Sequence, residues 1–251
     1  MSKAKVPHLD ISSIDGRLFD GLDFCSRVYD LFDHIRQQPD GKKRLRLRPS
    51  KTDKRLVEEL LPLARYIQLR YREGRRIKVR WLSGSQQYDA VLWSRGSCVD
   101  VGGTPRKTLV EVTQSVHAND RFRRELLDQN GGCFSVKGLY RDGKDIISKP
   151  LVYGGGENAN DLAEQIRQRL REKADKPYPP STVLIINCTT NCLILEDEWK
   201  LAVDQVKSFG PVAFREVFLL DMLGSHSTTL YGRRRRRSSS QMPKGVPTVE
   251  A

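Results

Sequence analysis

Apolar residues recur along this chain at two spacings, and the switches between them predict its elements. Ile14, Leu18, Leu22, Val28, Leu31, Phe32 and Ile35 keep a roughly helical period around Asp20-Gly21, which predicts a helix over about 23–36. Gln38-Pro39-Asp40-Gly41 then marks a turn. Leu56, Val57, Leu60, Leu61, Ala64, Ile67 and Tyr71 resume the helical period from about 53 to 73, with Asp53 as N-cap and Gly74 as stop. Pro62 falls inside that window and is expected to kink or break the helix. The period next drops to two. Strands are expected near 76–82, 86–93, 97–101 and 108–114, with Ser83-Gly84-Ser85 turning between the first two.

A helix over about 118–129 follows, with Asn119 as its cap, Phe122, Leu126 and Leu127 facing inward, and Asn130-Gly131-Gly132 ending it. Residues 133–153 read as a two-strand excursion turning at Asp142-Gly143. Leu162, Ala163, Ile166 and Leu170 predict a helix over about 158–173, stopped by Pro177-Tyr178-Pro179-Pro180. Val183-Leu184-Ile185-Ile186 is an unbroken apolar run of the kind found in a buried central strand. Trp199, Val203 and Val206 mark a further helix, Val217 to Leu220 a second buried strand, and Thr228 to Tyr231 an edge strand. The order implies an α/β fold with a mixed central sheet and flanking helices. It divides into an N-terminal helical and basic segment (1–52), an α/β domain (53–231) and a disordered basic tail (232–251).

Charge narrows the partners. The 251 residues carry 44 Lys and Arg against 31 Asp and Glu, a net +13. Arg233, Arg234, Arg235, Arg236, Arg237 and Lys244 against Glu250 give the tail +5, so the body keeps +8. A basic body favours a polyanion, and nucleic acid, DNA or RNA, is the expected partner. Lys42, Lys43, Arg44, Arg46 and Arg48 form a basic stretch in which Arg44-Leu45-Arg46-Leu47-Arg48 alternates, as a strand with one cationic face for phosphates would, or as an ordinary charged edge strand would. No apolar run reaches the roughly 20 residues that cross a bilayer, and the N-terminus has no apolar signal region. Five scattered cysteines without a CxxC suit reduced thiols, so a cytoplasmic setting is expected. Cys188 and Cys192 read as structural thiols rather than metal ligands. Trp81, Trp93 and Trp199 read as core or sheet-face residues, and His117 as a loop histidine. Gly102-Gly103-Thr104-Pro105-Arg106-Lys107 reads as a turn rather than a phosphate loop, and Gly154-Gly155-Gly156 as a linker.

The candidate chemistry lies in two acids on apolar strands: Asp89 in Tyr-Asp-Ala-Val-Leu-Trp and Glu111 in Leu-Val-Glu-Val-Thr. A carboxylate inside such a strand either points to solvent or needs a partner. Two on adjacent strands can share a hard divalent cation. Asp100 is the rival for the first position.

The order of helix, β-meander, helix and strand, with these acids in place, resembles the restriction-endonuclease-like PD-(D/E)XK nucleases over residues 53–222. The resemblance implies that Asp89 and Glu111 hold Mg²⁺ or Mn²⁺. It also implies that Glu58 or Glu59 supplies the further acid some members add, and that Arg121 and Arg124 lie on the helix that follows. The family's lysine falls on Thr113, followed by Gln114, so these two stand at its catalytic position without its charge. Lys107, Lys137 or Arg121 could replace it. Three functions stay open: a metal-dependent phosphodiesterase, a non-catalytic nucleic-acid-binding or scaffold protein that retains the fold, or a nucleoprotein-type structural protein.

Overall fold

The computed structural model describes residues 10–101, 104–152, 154, 156–189, 194–209, 213–223 and 226–232. The arginine run 233–237, Cys192 and the glycines Gly102, Gly103 and Gly155 lie outside the described residues.

A short strand that periodicity does not reveal, β1 (Leu18–Asp20), leads directly into α1 (Gly21–Arg36), whose first turn is capped by the Asp20 carboxylate accepting from Leu22 N at 3.0 Å. Glycine eases a tight approach at 21, because a Cβ there would meet Ile77 O and an Ile67 methyl at 3.0 Å. The basic alternation at 44–48 is not a strand. It forms α2 (Gly41–Leu47) and its cap. A helix lets Arg44 reach Asp53 (2.8 Å) and Gln38 (2.6 Å), and lets Arg46 donate to the Leu127 carbonyl (2.7 Å). Both cations also sit in the last turn, where the helix dipole favours them.

The next helix starts earlier than expected. Ser50 is the cap of α3 (Lys51–Arg55), accepting from Asp53 N at 3.0 Å, and Asp53 takes the Ser50 hydroxyl in return at 2.7 Å. The helix runs on through a π turn (Leu56–Leu60) into α4 (Leu61–Arg70). Pro62 breaks nothing, since it stands in the first turn of α4, just where the π turn resets the hydrogen-bond register.

The strands that follow are β2 (Arg76–Trp81), β3 (Ala90–Arg95) and β4 (Lys107–Ser115). Expectation put a strand over 97–101, but Ser97–Asp100 is a single helical turn, α5. Then come α6 (Asp120–Asn130), the hairpin of β5 (Leu139–Asp142) and β6 (Asp145–Ser148), and α7 (Glu157–Ala174). The chain closes with β7 (Thr182–Cys188), α8 (Glu196–Lys207), β8 (Glu216–Leu220) and β9 (Ser227–Gly232).

Seven strands make one mixed sheet in the order β1-β2-β3-β4-β7-β8-β9. The β1–β4 part is an antiparallel meander, β4, β7 and β8 run parallel, and β9 returns antiparallel. One face carries α1 and the 51–70 helix, and the other carries α7 and α8. β7 is buried along its whole length. Val183 and Ile185 enter the first core, and Leu184 and Ile186 enter the second. Each such side chain contributes roughly 1.5–3 kcal/mol by burial. On β2 the alternation is strict: Ile77, Val79 and Trp81 face α1, whereas Arg76, Lys78 and Arg80 face outward. Residues from Ile14 onward share this core. Among the described residues no helix is long and apolar enough to cross a membrane.

Candidate functional site

Glu111 sits mid-way along β4 between Val110 and Val112, which both point into the α1 side of the sheet. The pleat therefore turns Glu111 to the other face, toward α7. There the Lys173 ammonium lies 2.5 Å from Glu111 Oε1, and the Tyr178 hydroxyl donates to the same oxygen at 3.2 Å. The Lys173 and Glu111 side chains are each only 13% exposed. Burial and the neighbouring Glu111 carboxylate raise the Tyr178 phenol, keeping it a donor.

Asp89 precedes β3. Its amide still donates to Val110 O at 2.8 Å, and its carboxylate accepts from Val112 N at 2.7 Å, so it is fastened to the two peptides beside Glu111. Continuing the register Ala90↔Val110 by one residue brings Asp89 opposite Glu111. Burial, with the Glu111 charge as the next cause, pushes Asp89 up to about 7, against the Val112 hydrogen bond. Glu59, on the π turn, is also raised by burial, with Arg55 opposing and Glu58 and Glu111 adding to it. Asp89, Glu111 and Glu59 thus act on one another. Asp100, the rival acid, is on α5, largely exposed, beside Arg106 at 3.9 Å.

Among the described residues no group of three or more His, Cys, Asp or Glu can hold a metal ion. Two carboxylates suit one ion in particular. Mg²⁺ keeps several waters and commonly uses one or two carboxylates plus substrate phosphates, whereas Zn²⁺ and Ca²⁺ require fuller protein cages. Asp89 Oδ1 and Glu111 Oε2 take no hydrogen bond from the described residues, and the Asp89 carboxyl is raised first by burial and then by the Glu111 charge, both of which a cation would offset.

Thr113 and Gln114, where the family's lysine would stand, line a cavity of about 600 Å³ at the end of β4. Arg48, Lys54, Arg121, Arg124 and Arg169 reach it from four helical segments, with Glu58 and Asp120 as its acids. Arg48 bonds Glu58 Oε1 (3.1 Å) and Gln114 Oε1 (3.2 Å). It holds a left-handed backbone (φ 55°) before Pro49, alone among the described non-glycine residues. Such a conformation costs on the order of 1–3 kcal/mol. Burial lowers the Arg48 guanidinium, and the like charge of Arg124 adds to that, against Glu58.

The predicted phosphate-binding residues therefore divide. Arg48, Arg121 and Arg124 are at the cavity. Arg44 holds Asp53, while Arg46 ties α2 to α6 through Leu127 O. Lys42 is exposed, and Lys43 lies 3.7 Å from Asp128. Arg46→Ala is expected to cost about 1 kcal/mol in urea denaturation and to leave nucleic-acid affinity within about twofold; a large affinity loss would return it to the interface.

Of the expected replacements for the lysine, Lys137 pairs with Asp161 (2.7 Å), Arg121 pairs with Glu125 (3.0 Å), and Lys107 is at the opposite end of β4 from Gln114. Lys173 was not foreseen. It lies 62 residues from Glu111, on a helix whose apolar residues define its inward positions, and no local signal marks it. His117 is half-buried, its ring nitrogen accepting from Asn119 N at 3.1 Å. Trp81 and Trp199 are buried, while Trp93 lies on the outward sheet face with Arg80 above its ring. Comparison with known proteins found no matching family model, curated protein or solved structure.

Proposed function

We propose that this chain binds nucleic acid and hydrolyses its phosphodiester backbone with Mg²⁺ or Mn²⁺, as a restriction-endonuclease-like nuclease whose lysine has moved from the strand to the helix behind it. The observation that carries this reading is the Lys173 ammonium resting on Glu111, beside an Asp89 carboxyl raised by burial and by the same acid. Lys173 supplies the charge that Thr113 lacks, from across the sheet face rather than along the strand.

Asp89 and Glu111 would hold the cation, which when bound polarises the phosphate and lowers the pKa of a water. The other roles belong to the chain itself. Val112 N fixes the Asp89 carboxylate, and Tyr178 fixes that of Glu111. Lys173 holds positive charge where an attacking water and the scissile phosphate would meet. Arg76, Lys78 and Arg80 on the uncovered face of β2 offer contacts to the backbone, and Trp93 beside them a flat surface for a base. The four described cysteines are free, which suits a cytoplasmic setting.

A second reading, a binding protein that kept the fold and lost the chemistry, draws on the same ion pair, because Lys173 already neutralises Glu111. Cleavage of single- and double-stranded DNA and RNA with Mg²⁺ and Mn²⁺, wild type beside Glu111→Ala, separates the two. We expect metal-dependent cleavage that falls by about a hundredfold or more in the variant. Salt-sensitive binding without cleavage by the wild type would overturn the enzyme.

A further inference from the structure

The cavity at the end of β4 contains polar hydrogens with nothing to bind. Among the described residues, Arg48 Nε, Gln114 Nε2 and Arg169 Nε are buried without a hydrogen-bond partner, and all three residues line this one concavity. They come from three separate places, the α2–α3 junction, the end of β4 and the middle of α7, so no single local strain explains them together. Five cations line the cavity against two acids, a balance of +3 for the lining itself, with Arg121 and Arg169 also paired to Glu125 (3.0 Å) and Glu172 (2.5 Å) outside it. The acids are already engaged: Glu58 by Arg48 at 3.1 Å, Asp120 by Arg123 at 2.5 Å and Arg124 at 3.0 Å. Buried donors of this kind are seldom left unmet in a folded protein. What would satisfy them is an anion with several oxygens, for which arginine is the preferred side chain.

Charge and place decide which anion. A phosphodiester crossing the cavity would bring a single negative charge, whereas a phosphomonoester carries about −1.5 to −2 near neutrality. The second answers a +3 lining better. Thr113 and Gln114 are two and three residues beyond Glu111, so the cavity begins about 7 Å further along the strand. A phosphate held there is near the carboxylates without touching them.

We propose that this cavity is a phosphomonoester site that takes the phosphorylated end of a nucleic-acid strand and sets that end against Asp89 and Glu111. Arg48, Arg169 and Gln114 donate to the phosphate oxygens. Arg124 and Lys54 add charge. The nucleic-acid part rests on the proposed function; phosphate binding does not.

The test is binding in EDTA at fixed ionic strength, so that cleavage plays no part. The full chain is titrated against oligonucleotides of one sequence whose ends carry phosphate or hydroxyl, with inorganic phosphate titrated separately by calorimetry. We expect the phosphorylated end to bind about tenfold tighter or more, and inorganic phosphate to erase that advantage. Arg169→Gln and Gln114→Leu should each bring the ratio of the two affinities toward one. Circular dichroism identifies either variant if it is unfolded, and the other then carries the test. Equal affinity for both ends, with no heat from phosphate, would overturn the site while leaving the nuclease reading intact. Phosphate binding without oligonucleotide binding would uphold the site and overturn the nucleic-acid reading.

Discussion

Lys173→Met lowers stability by about 3 kcal/mol at pH 7, the range expected when one member of a buried ion pair is removed and the other is left charged. Lys173 and Glu111 are each 13% exposed, so water cannot readily replace the lost partner. Adding Glu111→Gln in the same chain should recover most of the loss, because the stranded charge is then gone and the Tyr178 hydroxyl can still donate to the amide oxygen. Urea denaturation of wild type, both single variants and the double variant closes the cycle. Strictly additive losses would mean that the two groups do not interact, and Lys173 would lose its claim to the position that Thr113 leaves uncharged.

Asp89→Asn has the opposite sign. In metal-free buffer the variant is expected to be more stable than wild type at pH 8, by about 2 kcal/mol. The Asp89 carboxyl titrates near 7 in the folded chain and near its ordinary value of 3.8 when unfolded. Below about pH 4 both states hold the proton and the site costs nothing. Between about 4 and 7 the folded state keeps a proton that the unfolded state has lost, so stability falls as pH rises, by at most about 1.4 kcal/mol per unit. Above 7 the folded carboxyl ionises beside Glu111 and the whole penalty remains. Asparagine removes the charge and keeps an oxygen for Val112 N. Thermal melts from pH 4 to 8 should therefore show a decline in wild type that is absent in the variant. Added Mg²⁺ should stabilise wild type at pH 8 and leave Asp89→Asn unmoved, since only a cation bound to the folded state shifts the balance. Parallel melting curves across that range would remove Asp89 from the site.

The parts of the fold that sequence reveals are those where one physical demand dominates. Val183 to Ile186 is apolar on both sides because β7 is buried on both sides, and no other element makes that demand so continuously. Asn130-Gly131 ends α6 because Gly131 takes the left-handed cap at φ 70°. Elsewhere two demands share one pattern. Arg44-Leu45-Arg46-Leu47 alternates like a strand, yet every side chain in it is half-buried, held by Asp53, Leu127 O and the surrounding helices. Alternation there records partners on all sides rather than a sheet with two faces. Ser97–Asp100 is too short for either period to declare itself. The site divides the same way. Asp89 and Glu111 stand out as lone acids in apolar runs and do come together. Lys173 and Arg169 are two ordinary cations on a polar helix face, and only the folding of α7 over β4 brings them to Glu111 and to the cavity.

The π turn at Leu56–Leu60 also sets the direction in which the acids of this helix point. Its Leu61 N to Leu56 O bond encloses one residue more than an α-helical turn does. Each residue advances a helix by about 100°, so taking one out would swing everything on the N-terminal side a quarter-turn or more about the axis. Glu59 would leave Glu111, and Glu58 would let go of Arg48. The acids on this helix are thus indexed by a single surplus residue in the turn, and their reach into the neighbouring elements depends on it.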